Sequence, residues 1–252
     1  MGKLLIMTTL YKTGRTMYLL GIAELAIYNF FKGDFAMTRP PLPEMVQGIN
    51  PAMAYVSGAL LLISVLAFYL NRYRAAALLT IANLIFWLAT SRHIFNLWRD
   101  HINGFKTLWL IGGALLILTS LDAYQKHTKK ALWLNLIILF LFFVDCGVAH
   151  FQYAQFVQML IPAFIPFPLF FTYFAGVCLV AGGAGLLIPQ TRKLAALLLG
   201  IQIAGWFILL HVPRALTMGG DEWIGVGESI AVSGICFMIY SELRDKGPML
   251  SA

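Results

Sequence analysis

Charge is what this sequence has least of. Acidic and basic residues make up 12% of the chain, against about 25% in soluble domains. That shortage, with apolar runs such as LAALLLGIQIAGWFILLH at 194–211, excludes an ordinary soluble domain and puts the chain in a bilayer. Cysteine is scarce too. Cys146, Cys178 and Cys236 lie far apart inside apolar runs, with no CxxC pair, so they read as buried thiols and not as a zinc or iron–sulfur site. A cleaved signal peptide is not expected, because MGKLLIMTTLYKTGR has a very short apolar core and no small-residue cleavage site. Ile6 stands where a myristoylation motif needs Ser or Thr. The AGGAG run at 181–185 follows no strand, so it favours close helix approach over nucleotide binding. No Ser/His/Asp or Cys/His constellation stands out, and no catalytic residue or metal ligand set is named.

What is present is hydrophobic periodicity at membrane length. Eight spans are expected, at 14–31, 52–70, 75–92, 106–123, 130–150, 169–188, 194–211 and 224–242, each near the roughly 20 residues a bilayer requires. The net charge is +7, and of the 18 basic residues twelve fall on the side of the N-terminus, side A, and six on side B. Side A carries Arg72, Arg74, Lys126, Lys129, Lys130, Arg192 and Lys193 in its turns. Side B carries Lys32, Arg39, Arg92, Arg99, Lys106 and Arg214. The positive-inside rule then puts both termini in the cytoplasm, in the inner membrane if the cell is Gram-negative. Basic residues explained by topology, with no Lys/Arg cluster interleaved with aromatics, exclude nucleic acid as a partner.

The remaining polar groups sort the other way. His93, His101, His150 and His211 lie at or near side B, as do Glu24, Asp145 and Glu228. Ionisable groups within spans face a bundle interior or a wet cavity, so one outward polar cavity, or two related ones, is expected.

The chain also repeats. ELAIYNF at 24–30 lies over DCGVAHF at 145–151, matching Glu24 with Asp145 and Asn29 with His150. YVSGALLL at 55–62 lies over YFAGVCLV at 173–180, pairing Gly58 with Gly176. His93 matches His211, Asn96 matches Arg214, Trp87 matches Trp206, and RPPLP at 39–43 parallels PAFIPFP at 162–168. Four spans per half make these parallel repeats, unlike the inverted repeats of many transporters. The expected fold is all-α: two fused four-helix bundles, 14–123 and 130–242, joined near AYQKHTKKA.

In the second half the order HF, LIPAFIP, YFAGVCLVAGGAGLL, HVPRA, EW and then Glu228 resembles the DoxX-like family of small four-helix membrane proteins. The resemblance covers about 100 residues, 143–241. The first half resembles it only faintly, with Asn29, Asn96 and Lys106 near where the pattern has His150, Arg214 and Glu228. The resemblance implies the fold and links the chain to membrane oxidoreductase systems that use quinone.

The candidate ligand-binding residues are His150, His211, Arg214, Glu228 and Asp145. His211 and Arg214 are three apart and share a face if the helix persists; Pro213 is expected to loosen its last turn. Imidazole and guanidinium could donate to quinone carbonyls, and Glu228 or Asp145 could accept a proton. Against this stands a structural reading, in which Arg214 pairs with Glu228 and the histidines bond to loop carbonyls. Haem between His150 and His211 is disfavoured, because the first half has no matching pair. Trp87 and Trp206 read as packing or interfacial anchors, and Asp221 and Glu222 as an outer turn. The expected partners are the lipid bilayer, quinone and a soluble or membrane redox protein. A membrane anchor or scaffold is the alternative, and solute transport is disfavoured because the polar groups occupy one level.

Overall fold

The computed structural model describes residues 9–35, 50–90 and 101–245. Arg39, Arg92, His93, Asn96, Arg99, RPPLP and both charged ends of the chain lie outside the described residues. Every regular element among the described residues is helical. These are α1 (Thr9–Lys32), α2 (Asn50–Tyr69), α3 (Tyr73–Thr90), α4 (His101–Thr119), α5 (Thr128–Gln152), the short α6 (Ala154–Gln158), α7 (Pro168–Leu187), α8 (Arg192–Met218) and α9 (Glu222–Asp245). A 3₁₀ turn, Asp122–His127, joins α4 to α5.

Six of these are long and apolar enough to cross a membrane: α2, α4, α5, α7, α8 and α9. The apolar part of α3, Tyr73–Leu88, is shorter, and α1 is interrupted by Lys12, Arg15 and Glu24. Burial divides the six. In α9 78% of the most apolar window is buried, against 28% in α8 and 33% in α2 and α7. So α9 is a central rod and α8, α7 and α2 are peripheral, with leucines and phenylalanines turned outward as lipid-facing helices require.

Consecutive long helices pack on one another, and the series closes on itself. The most extensive helix contact is between α1 and α9, from opposite halves of the chain. The halves therefore interlock. Glycine makes this approach possible: Gly14 and Gly21 on α1 face Gly234 and Gly227 on α9. Both pairs are seven residues apart, so they stay on one seam as the antiparallel helices wind together. A Cβ on Gly14 would sit 2.5 Å from the Gly234 carbonyl oxygen. Tyr18 on α1 then reaches α4, donating from its hydroxyl to the Leu110 carbonyl at 2.7 Å.

Similar local contacts occur at two glycines. Gly58 faces the Phe30 ring and Gly176 faces the Phe151 ring. Phe30 stacks on Tyr55 and Phe151 stacks on Tyr173, each with centroids 5.9 Å apart. These four aromatic positions correspond in the two halves. The halves differ at the tryptophans. Trp87 is only 1% exposed, covered edge-on by Phe35 and donating to the Ser57 hydroxyl. Trp206 lines an open cavity.

Helix α8 is the main departure from the expected boundaries. It does not stop at His211 but runs through Pro213 to Met218. It does so by inserting a π-helical turn, Phe207–His211. Proline lacks an N–H and its ring crowds the carbonyl one turn earlier; the widened turn directly before Pro213 is one of the ways a helix absorbs this.

Candidate functional site

Register on α8 determines the site. Gln202 and Trp206 are four apart and share a helix face. On a regular α-helix His211 would fall off that face. The π turn adds one residue to the repeat, and Gln202, Trp206 and His211 all line the same cavity. From α5, His150 joins them: its ring stacks on Trp206, with centroids 5.7 Å apart and planes 16° from parallel.

The cavity measures about 1120 Å³, somewhat above the usual range of ligand pockets, which run to about 1,000 Å³. Its walls are α7 and α8, with α7 presenting Ala175, Cys178, Ala181 and Gly182. The segment after α6 covers it at side B through Leu160, Ile161, Pro162 and Ile165. The helices touch where Gly182 meets Leu199 and Gly185 meets Ala195. Between them the cavity opens sideways, because Phe174, Leu194, Leu198 and Ile201 line it and are also more than half exposed.

Hydrogen bonding sets what each imidazole offers. His150 Nδ1 lies 2.7 Å from the Cys146 carbonyl, which can only accept. That fixes Nδ1 as the protonated nitrogen and leaves Nε2 of the neutral ring as an acceptor. His211 makes no hydrogen bond to a described residue, and its ring is pressed against the backbone of α9 at Gly225. A Cβ there would be 2.5 Å from His211 Nδ1.

The five sequence candidates do not converge on one point. His150 and His211 share the cavity. Arg214 is held away from it by Glu222, which accepts from Nε at 3.0 Å and from Nη2 at 2.8 Å. Glu228 pairs with Lys106 on α4 at 2.6 Å, with 12% and 14% of the two side chains exposed. The Arg214–Glu228 pair considered from sequence is thus replaced by two separate pairs. Asp145 pairs with His101, and both line a second, smaller cleft of about 540 Å³ on the α4–α5 side. Asp221 is more than a solvated turn residue: it accepts from Lys32 Nζ at 2.5 Å and from the Tyr28 hydroxyl, tying the α8–α9 turn to α1. Among the described residues no three His, Cys, Asp or Glu side chains gather to hold a metal.

Sequence reasoning missed Gln202 and undervalued Trp206. The signal was their spacing of four, with the polar Gln202 alone in the apolar run. What hid the site was the π turn, which no pattern of period 3.6 anticipates.

Together these features define a class: a multi-pass helical membrane protein with a laterally open, apolar cavity that ends in two imidazoles. A family described as a domain of unknown function, DUF8561, matches residues 139–232, which take in the cavity and all five candidates. No curated protein and no solved structure matches the chain.

Proposed function

We propose that this protein is the integral membrane subunit of a redox system and handles quinone at the His150–His211 end of the cavity. The observation that carries this reading is the pairing of chemistry with access. Two imidazoles, one fixed as an acceptor and one without a partner among the described residues, close a cavity that opens toward lipid. A quinone head is flat, lipid-soluble and hydrogen-bonded at its carbonyls. In the quinol form the hydroxyl at this end would donate to His150 Nε2 or to a ring nitrogen of His211. Arg214 clamps the outer turn through Glu222 and leaves the head to the histidines. Electrons would pass to a soluble or membrane redox partner.

The same proposal covers the finer architecture. All eight long helices span the inner membrane, with both termini cytoplasmic. The chain is a duplicated DoxX-like unit whose first copy is closed by Phe35 and Trp87. The matching aromatic stacks in the two halves support the duplication. The test is mass spectrometry of an organic extract of the gently purified protein beside His211→Ala. Quinone near one per chain in the parent and lost in the variant is expected. Lipid alone in both would discard the redox reading.

That second result would favour a membrane anchor or scaffold. Its supporting observation is that Lys106 pairs with Glu228 and Arg214 with Glu222 inside the protein, as structural ion pairs would.

A further inference from the structure

Gln202 is an amide within a membrane-spanning helix that makes no hydrogen bond to a described residue. The repeat shows what such an amide normally does. Asn83 precedes Trp87 by four residues, as Gln202 precedes Trp206. Asn83 is satisfied by Ser57: its Nδ2 donates to the Ser57 carbonyl at 2.8 Å, and its Oδ1 accepts from the Ser57 hydroxyl at 2.9 Å. In the second half the residue matching Ser57, directly before the paired glycine, is Ala175. Ala175 lacks the hydroxyl that serves the Asn83 carbonyl oxygen, and it lines the cavity with Gln202. An unpaired amide in hydrocarbon is costly, so a free one facing a cavity calls for a partner from outside the chain.

We infer that Gln202 is the second polar contact of the bound ligand, whose flat head bridges His211 and Gln202 across Trp206 while its hydrocarbon tail lies along the Cys178–Gly182 face of α7. This rests on the reading of the cavity as a quinone site, and it narrows the ligand to a head with hydrogen-bonding groups at two opposite ends. Nine residues separate Gln202 from His211, about 13 Å of helix rise, which two side chains and a six-membered ring with opposed oxygens fill. The tail has room as well. The cavity follows α7 from Phe171 to Ile188, about 25 Å, most of the roughly 30 Å hydrocarbon thickness. The side openings between Phe174, Leu194 and Leu198 make the bilayer the route of entry.

The experiment titrates a decyl-substituted benzoquinone into the purified protein, follows quenching of tryptophan fluorescence, and pairs this with mass spectrometry of co-purified amphiphiles. The variants are Gln202→Leu, Ala175→Ser and Ala181→Phe. Gln202→Leu is expected to weaken binding at least tenfold. Ala175→Ser, which gives Gln202 the internal partner Asn83 already has, should weaken it in the same direction. Ala181→Phe should displace the co-purified tail. Thermal melting of each variant checks the fold, and alkylation of Cys178 by a bilayer-soluble maleimide, blocked by bound ligand, reads occupancy in the parent without any substitution. Quinone bound equally by parent and Gln202→Leu would overturn the inference and leave the quinone reading standing. A different amphiphile retained in a Gln202-dependent way would uphold the role of Gln202 and remove quinone. Empty parent protein, with Cys178 freely alkylated, would overturn both.

Discussion

Lys106 and Glu228 form an ion pair at 2.6 Å where α4 meets α9. Both side chains are largely buried. Removing one partner leaves the other charge without compensation, which costs about 3–5 kcal/mol at buried pairs. Lys106→Met and Glu228→Met should each lower the unfolding midpoint in detergent sharply. The double variant Lys106→Met/Glu228→Met should recover most of the loss. Additive losses in the double variant would show that the two residues do not act as a pair.

Arg214 and Glu222 should behave differently. Their bidentate geometry is good, but about a quarter to a third of each side chain is exposed. Screening limits such pairs to about 1 kcal/mol. Arg214→Lys should lose the fork and shift stability slightly, with ligand retention intact. Ligand lost from a fully stable Arg214→Lys protein would place the guanidinium back at the head.

The glycine seam gives a steric prediction with an internal control. Gly14→Ala puts a methyl against a backbone carbonyl that cannot swing away. Overpacking of this kind costs about 1–3 kcal/mol, and Gly234→Ala should match it. Gly205, where an added methyl would meet nothing within 4 Å, lies in a helix where alanine is better than glycine by up to about 1 kcal/mol. Gly205→Ala should therefore be neutral or stabilising in the same melting assay.

Pro213 tests the register of α8. With alanine there, the missing N–H returns and the helix can shed its π turn. His211 then rotates by about 100° relative to Trp206. Pro213→Ala should keep or raise thermal stability and lose ligand. Unchanged retention would show that the π turn has another cause.

Much of the fold was legible because it follows from solvent and period. Long apolar runs between basic turns locate α2, α5, α7 and α9 within a few residues, and the repeat anchors at Gly58, Gly176, Phe30 and Phe151 meet corresponding partners. The contact between α1 and α9 was not legible. Glycines seven apart on two distant helices carry no mark that they face each other. The site was half legible: histidines at a span end mark a polar level, but which carboxylate serves which base depends on tertiary packing. Glu222 and Glu228 are six residues apart on α9, and only the folded arrangement sends Arg214 to one and Lys106 to the other.

The glycine seam has a consequence for how the protein is made. Helix α1 emerges from the ribosome long before α9, yet α9 is its most extensive partner. Domains fold as units during synthesis; in this one the Gly14–Gly21 face of α1 gains its glycine partners only when α9 is made. A nascent chain stalled after α8 should therefore be a degradation substrate or a client of insertion chaperones, with completion of α9 relieving it.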